Sequence, residues 1–98
     1  MEYNEHIARA RRLRFLRVLQ ETSVYRLNDI MLGKLLDSYG YHVSNDQLRT
    51  DAAWLSEQGL VTVEDFDDIQ IIILTRRGAD VAAGKITTPG VDRPVPGR

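Results

Sequence analysis

Val43-Ser44-Asn45-Asp46-Gln47-Leu48-Arg49-Thr50-Asp51-Ala52-Ala53-Trp54-Leu55-Ser56-Glu57-Gln58-Gly59-Leu60-Val61 is the stretch on which the fold turns. Ser44 reads as a helix N-cap, Gln47 three residues on as the second half of a capping box, and Val43 can pack on Leu48 as a hydrophobic staple. Leu48, Ala52 and Leu55 then recur at i, i+4 and i+7, the spacing of one buried helical stripe. Gly59 ends the helix, and Leu60 returns an apolar side chain to the core. From Leu60 the period becomes two. Val61 and Val63 alternate with Thr62 and Glu64, and Ile69 to Leu74 form a β-branched run, which predicts a hairpin with its tip near Asp65 to Asp68.

Working outward toward the N-terminus, Glu5 to Glu21 contains no Gly or Pro and reads as a long helix. Phe15, Leu16, Val18, Leu19 and Ala8 cover one broad face of it, while Ile7, Ala10 and Leu13 form a second stripe. That second stripe needs its own cover, either the same helix of a second subunit or the chain's own C-terminal tail. A second helix fits Asp29 to Tyr39, with Asn28 as N-cap and Gly40 beyond its end. On the other side, Thr75 caps a short fourth helix, Arg76 to Ala83, closed by Gly84. The sequence thus divides into a domain over residues 1–85 and a tail over 86–98 that carries all three prolines. The order is helix, helix, short turn, helix, two-stranded ribbon, helix.

Ninety-eight residues with 43% apolar and 28% charged content allow one small core. The absence of cysteine removes disulfides, thiolate metal sites and cysteine nucleophiles. The longest apolar run is far shorter than the ~20 residues of a membrane span, and no signal peptide is recognisable, so the reading is a cytoplasmic protein with no membrane partner. The net charge of −1 is a cancellation. Residues 1–40 carry seven basic and five acidic residues; residues 41–75 carry Arg49 alone against seven acidic residues, a balance of −6; residues 76–98 carry five basic and two acidic ones.

Two helices joined by the short connection from Gly40 to Val43, followed directly by a ribbon, form a helix-turn-helix with a wing. Leu48 to Val61, and Leu74-Thr75-Arg76-Arg77-Gly78 after the ribbon, resemble the recognition helix, its exit and the strand-to-helix junction of the winged-helix transcription-regulator superfamily, of the ArsR and MarR types. The chain is also similar to small winged-helix proteins of Mu-like phages and prophages. The resemblance implies an α+β, mainly α, winged helix-turn-helix: a three-helix core, a two-stranded wing and a short fourth helix. It implies a DNA-binding transcriptional regulator, phage-encoded, with double-stranded DNA as partner and Ser44, Asn45, Gln47, Arg49 and Thr50 at the bases and backbone. Arg26, Arg76 and Arg77 are the expected phosphate contacts, and Ile7, Ala10 and Leu13 the expected contacts of a homodimer formed through the first helix.

The charge layout departs from that family. Its wings bring Arg or Lys to DNA, whereas this tip offers Glu64, Asp65, Asp67 and Asp68. A second reading therefore stands beside the first: an interaction module that does not bind DNA, its acidic wing and recognition-helix face engaging a basic protein partner. Trp54 serves either the rim of the core or an interface, and the arginines of the first helix either face solvent or reach phosphates. His6 and His42 are far apart in sequence, Asp65-Phe66-Asp67-Asp68 lacks the glycine and terminal glutamate of a calcium loop, and Gly33, Gly40 and Gly78 make no phosphate-binding pattern. No enzyme, metal site or cofactor is expected.

Overall fold

A computed structural model describes residues 2–95; Pro96, Gly97 and Arg98 of the proline-containing tail lie outside the described residues. The chain runs α1 (Tyr3–Glu21), β1 (Arg26–Asn28), α2 (Asp29–Ser38), α3 (Asn45–Glu57), β2 (Val61–Phe66), β3 (Ile69–Leu74) and α4 (Arg76–Ala82). The expected ribbon is present, but it is two-thirds of a three-stranded antiparallel sheet of order β1-β3-β2. Arg26, Leu27 and Asn28 pair with Ile73, Ile72 and Ile71, so β3 is the central strand. A three-residue strand is too short to display a period, and it exists because β3 offers it a ladder. Tyr25, at φ 59°, turns the chain into it.

Local signals are met by matching contacts. Asn28 caps α2 by accepting from the Met31 N–H at 2.7 Å, and Thr75 caps α4 by accepting from Gly78 N–H at 3.0 Å. Ser44 Oγ accepts from the Gln47 N–H at 3.0 Å. The Gln47 side chain does not complete the box; it donates to Asp51 Oδ1 at 3.1 Å. The hairpin turns on Asp67 and Asp68, with Phe66 opposite Ile69 and Asp67 at φ 56°, a left-handed conformation that Asp tolerates better than most side chains.

The core gathers Phe15, Leu16 and Leu19 of α1, Leu32 and Leu36 of α2, Leu48, Ala52 and Leu55 of α3, Leu60 just before the ribbon, Val61, Ile72 and Leu74 of the ribbon, and Val81 of α4. The tail adds to it: Val91 and Thr88 are buried, the Asp92 N–H donates to the Arg9 carbonyl at 3.2 Å, and Arg12 donates to the Gly90 carbonyl at 2.9 Å. Residues 86–95 therefore lie along α1. Gly90, at φ 93°, lies so close to Trp54 that a Cβ there would sit 2.7 Å from the indole. Leu13 packs against the core, whereas Ile7 and Ala10 line a groove of about 570 Å³ with Tyr3, His6, Tyr41 and Val43.

Gly78 marks the tightest approach. A Cβ at this position would lie 2.0 Å from the Leu60 carbonyl oxygen and 2.7 Å from Leu74 Cδ1, and neither the strand exit nor the cap can give way independently. Gly78→Ala is expected to cost about 3 kcal/mol and to lower the melting temperature by roughly 10–20 °C in thermal unfolding followed by circular dichroism. An unchanged melting temperature contradicts this packing.

Candidate nucleic-acid interface

The N-terminal half of α3 stands at the surface beside the hairpin turn. Ser44, Asn45, Asp46, Thr50 and Ala53 are exposed, Gln47 and Arg49 half-buried, and Leu48 and Ala52 buried on the opposite face. Several of these polar groups are already engaged. Asn45 Nδ2 donates to Asp29 Oδ2 at 3.1 Å, Gln47 is held by Asp51, and the Thr50 hydroxyl donates back to the Asp46 carbonyl at 2.9 Å.

Arg49 is the most constrained of them. Its Nε and Nη2 donate to Asp29 Oδ2 at 3.1 and 2.9 Å, and Nη2 also donates to the Asp68 carbonyl in the hairpin turn. Asp29, the first residue of α2, is only 1% exposed. Its Oδ1 accepts from the Ile30 N–H at 3.1 Å and, more weakly, from the Gln70 N–H at 3.4 Å. Burial pushes the Asp29 carboxyl up, but the hydrogen bonds from Asn45, Arg49 and Gln70 and the Arg49 charge outweigh it and hold the group below its ordinary value. One carboxylate thus joins the start of α2, the exposed face of α3 and the base of the hairpin turn.

The other expected cations are elsewhere. Arg26, Arg76 and Arg77 are exposed, Arg26 paired with Glu64 at 3.5 Å and Arg77 passing Gly59 at the far end of α3. The arginines of α1 neither stand free in solvent nor surround Arg49. Arg11 grips Asp51 in a bidentate pair through Nε and Nη2, with Nη2 to Oδ1 at 3.0 Å, and hydrogen bonding to Asp51 raises the Arg11 pKa. Arg12 stacks on Trp54 at 4.3 Å from the ring centroid, Arg14 on Tyr39 at 4.2 Å, and Arg9 pairs with Asp92 at 3.3 Å. Trp54, covered by Arg12 and the tail, belongs to the rim of the core. The turn itself is acidic and apolar together: Phe66 is 58% exposed, next to Asp65, Asp67 and Asp68.

Sequence reasoning missed Asp29 and Asp51 because an acid in a helix reads as surface. A signal existed for Asp51, which lies between Leu48 and Leu55 at i+3 and i+7 on the buried stripe. Among the described residues, no group of three or more His, Cys, Asp or Glu side chains could hold a metal, and no helix is long and apolar enough to cross a membrane.

Four helices and a three-stranded antiparallel sheet, with α3 exposed beside the hairpin, make this a winged-helix protein, similar to solved structures of RosR of H. salinarum. The complex structure of RosR-S1 superposes with a TM-score of 0.66 at 23% identity, covering 84% of this chain and 72% of that one. RosR grown from NaBr gives 0.65 at 24% identity, covering 78% and 68%. The chain belongs to the family of protein gp26 of Escherichia phage Mu, an uncharacterized protein to which it is 42% identical over 93 residues, 95% of this chain and 96% of gp26. An uncharacterized protein of Haemophilus influenzae Rd is 43% identical over 68 residues, 69% of this chain and 66% of that protein. No protein-family model matches the chain.

Two outcomes follow from the buried acids. Arg11→Met leaves the 2%-exposed Asp51 carboxylate with Gln47 alone, and a loss of about 3 kcal/mol in urea unfolding is expected; a loss under about 0.5 kcal/mol contradicts the pair. For Asp29, the folded pKa lies below the unfolded one, so its stabilisation is complete above the unfolded value near ~3.9 and disappears as pH falls through the folded value. The gap in melting temperature between the wild type and Asp29→Asn should narrow below about pH 4. A gap independent of pH rules out that linkage.

Proposed function

We propose that this chain is a phage-borne, DNA-binding winged-helix protein with a regulatory role. The observation that carries the reading is the exposed N-terminal half of α3 beside the wing, on the fold shared with RosR. In this reading Ser44, Asn45 and Thr50 enter a major groove, where Asn45 Oδ1 and Thr50 Oγ1 accept from base-edge amino groups and the Ser44 hydroxyl donates to a sugar-phosphate oxygen. Arg76, Arg77 and Arg26 contact phosphates on the flank, and Gln47 supports the helix through Asp51. The groove lined by Ile7 and Ala10 meets its counterpart on a second copy, giving a homodimer, while Leu13 packs against the core.

A different observation favours the second reading. Arg49 is occupied by Asp29 and Asp68, and the exposed wing carries carboxylates around Phe66, a surface suited to a basic protein segment. The two readings separate in one titration.

Fluorescence anisotropy against random and phage genomic duplexes at ~50 mM salt should show saturable binding that weakens steeply with salt. Replacing Arg76 and Arg77 by Gln should reduce the salt slope by about 2. Absence of binding at micromolar protein contradicts DNA recognition and leaves the interaction module.

A further inference from the structure

We infer that Asp29 and the Asp68 carbonyl act as an intramolecular stand-in for a DNA phosphate, holding Arg49 in the free protein until a phosphate displaces them. The inference rests on the DNA-binding reading and adds a regulated contact to it. Arg49 is the only basic residue between 41 and 75, and it lies on α3 four residues after Asn45. Its guanidinium meets one carboxylate oxygen and one carbonyl oxygen, an arrangement of acceptors that resembles two oxygens of a phosphate. The side chain is 33% exposed, so one edge already faces the solvent in front of α3.

Departure of Arg49 does not strand the acid. Asp29 keeps the Asn45 amide and the Ile30 N–H as donors, with the weaker Gln70 N–H beside them, and it stays at the N-terminus of α2, where negative charge is favoured. A phosphate oxygen offers Arg49 a charged acceptor in exchange for a charged one. The exchange also unties α3 from the turn that carries Asp67 and Asp68, and frees those carboxylates to move away from the duplex. Asp29 is therefore a positioning residue: it reads no base, but by competing for Arg49 it sets the affinity of the reading helix.

The test compares wild type, Asp29→Asn, Arg49→Gln and the double variant in anisotropy titrations with a ~20-bp random duplex across a salt series. Asn at 29 keeps the shape and one acceptor while removing the charge. Asp29→Asn should bind about tenfold tighter with an unchanged salt slope, the gain should vanish in the double variant, and Arg49→Gln should lower the slope by about 0.9. Equal or weaker binding by a natively folded Asp29→Asn overturns the inference while leaving the DNA reading in place. Failure of all four proteins to bind overturns both. On wild type alone, the Arg49 Nε–H resonance should shift on addition of duplex. An unmoved resonance at saturation overturns the inference even if the Asn variant does not fold.

Discussion

The Asp29 carboxylate is the constraint on which the exposed face of α3 depends. A buried ionised acid is costly unless its oxygens are met by donors, and here the donors come from three places: its own helix, α3 and the start of strand β3. Because Arg49 reaches Asp29 and the Asp68 carbonyl at once, the wing turn is drawn against α3 instead of projecting freely. The Arg11 and Asp51 pair does the same on the other side, tying α3 to α1. Between these two pairs the third helix has little freedom to roll, so its exposed face is set by buried charge as well as by Leu48, Ala52 and Leu55.

Much of this fold was legible in the chain. The caps at Asn28, Ser44 and Thr75, the buried stripe of α3 and the change of period at Leu60 are local, and each is met in the structure by the contact it anticipates. β1 was not legible, because three residues carry no pattern and their pairing depends on β3, more than forty residues away. The partners of the α1 arginines were hidden for the same reason: composition shows five arginines on a helix, and only the packed chain shows Asp51, Trp54, Tyr39 and Asp92 waiting for four of them.

The charge layout changes meaning accordingly. The acidic middle third is not a uniform surface, since Asp51 is internal and Glu64 is paired with Arg26, which leaves the remaining exposed carboxylates at the wing turn and along α3. Likewise the basic first helix is mostly turned inward. Kinship with gp26 of phage Mu establishes the family, and the likeness to RosR establishes the fold; under the DNA-binding reading proposed above, the contacts would come from neutral groups on α3, from exposed arginines at its far end, and from Arg49 once released.

The clamp at Asp29 can be observed without altering the chain. Carboxyl-carbon NMR of the wild-type protein through an acid titration reports Asp29 directly, and the donors around it predict a midpoint below the ~3.9 of a free aspartate. A midpoint at or above that value contradicts a carboxylate that holds α2, α3 and the wing together.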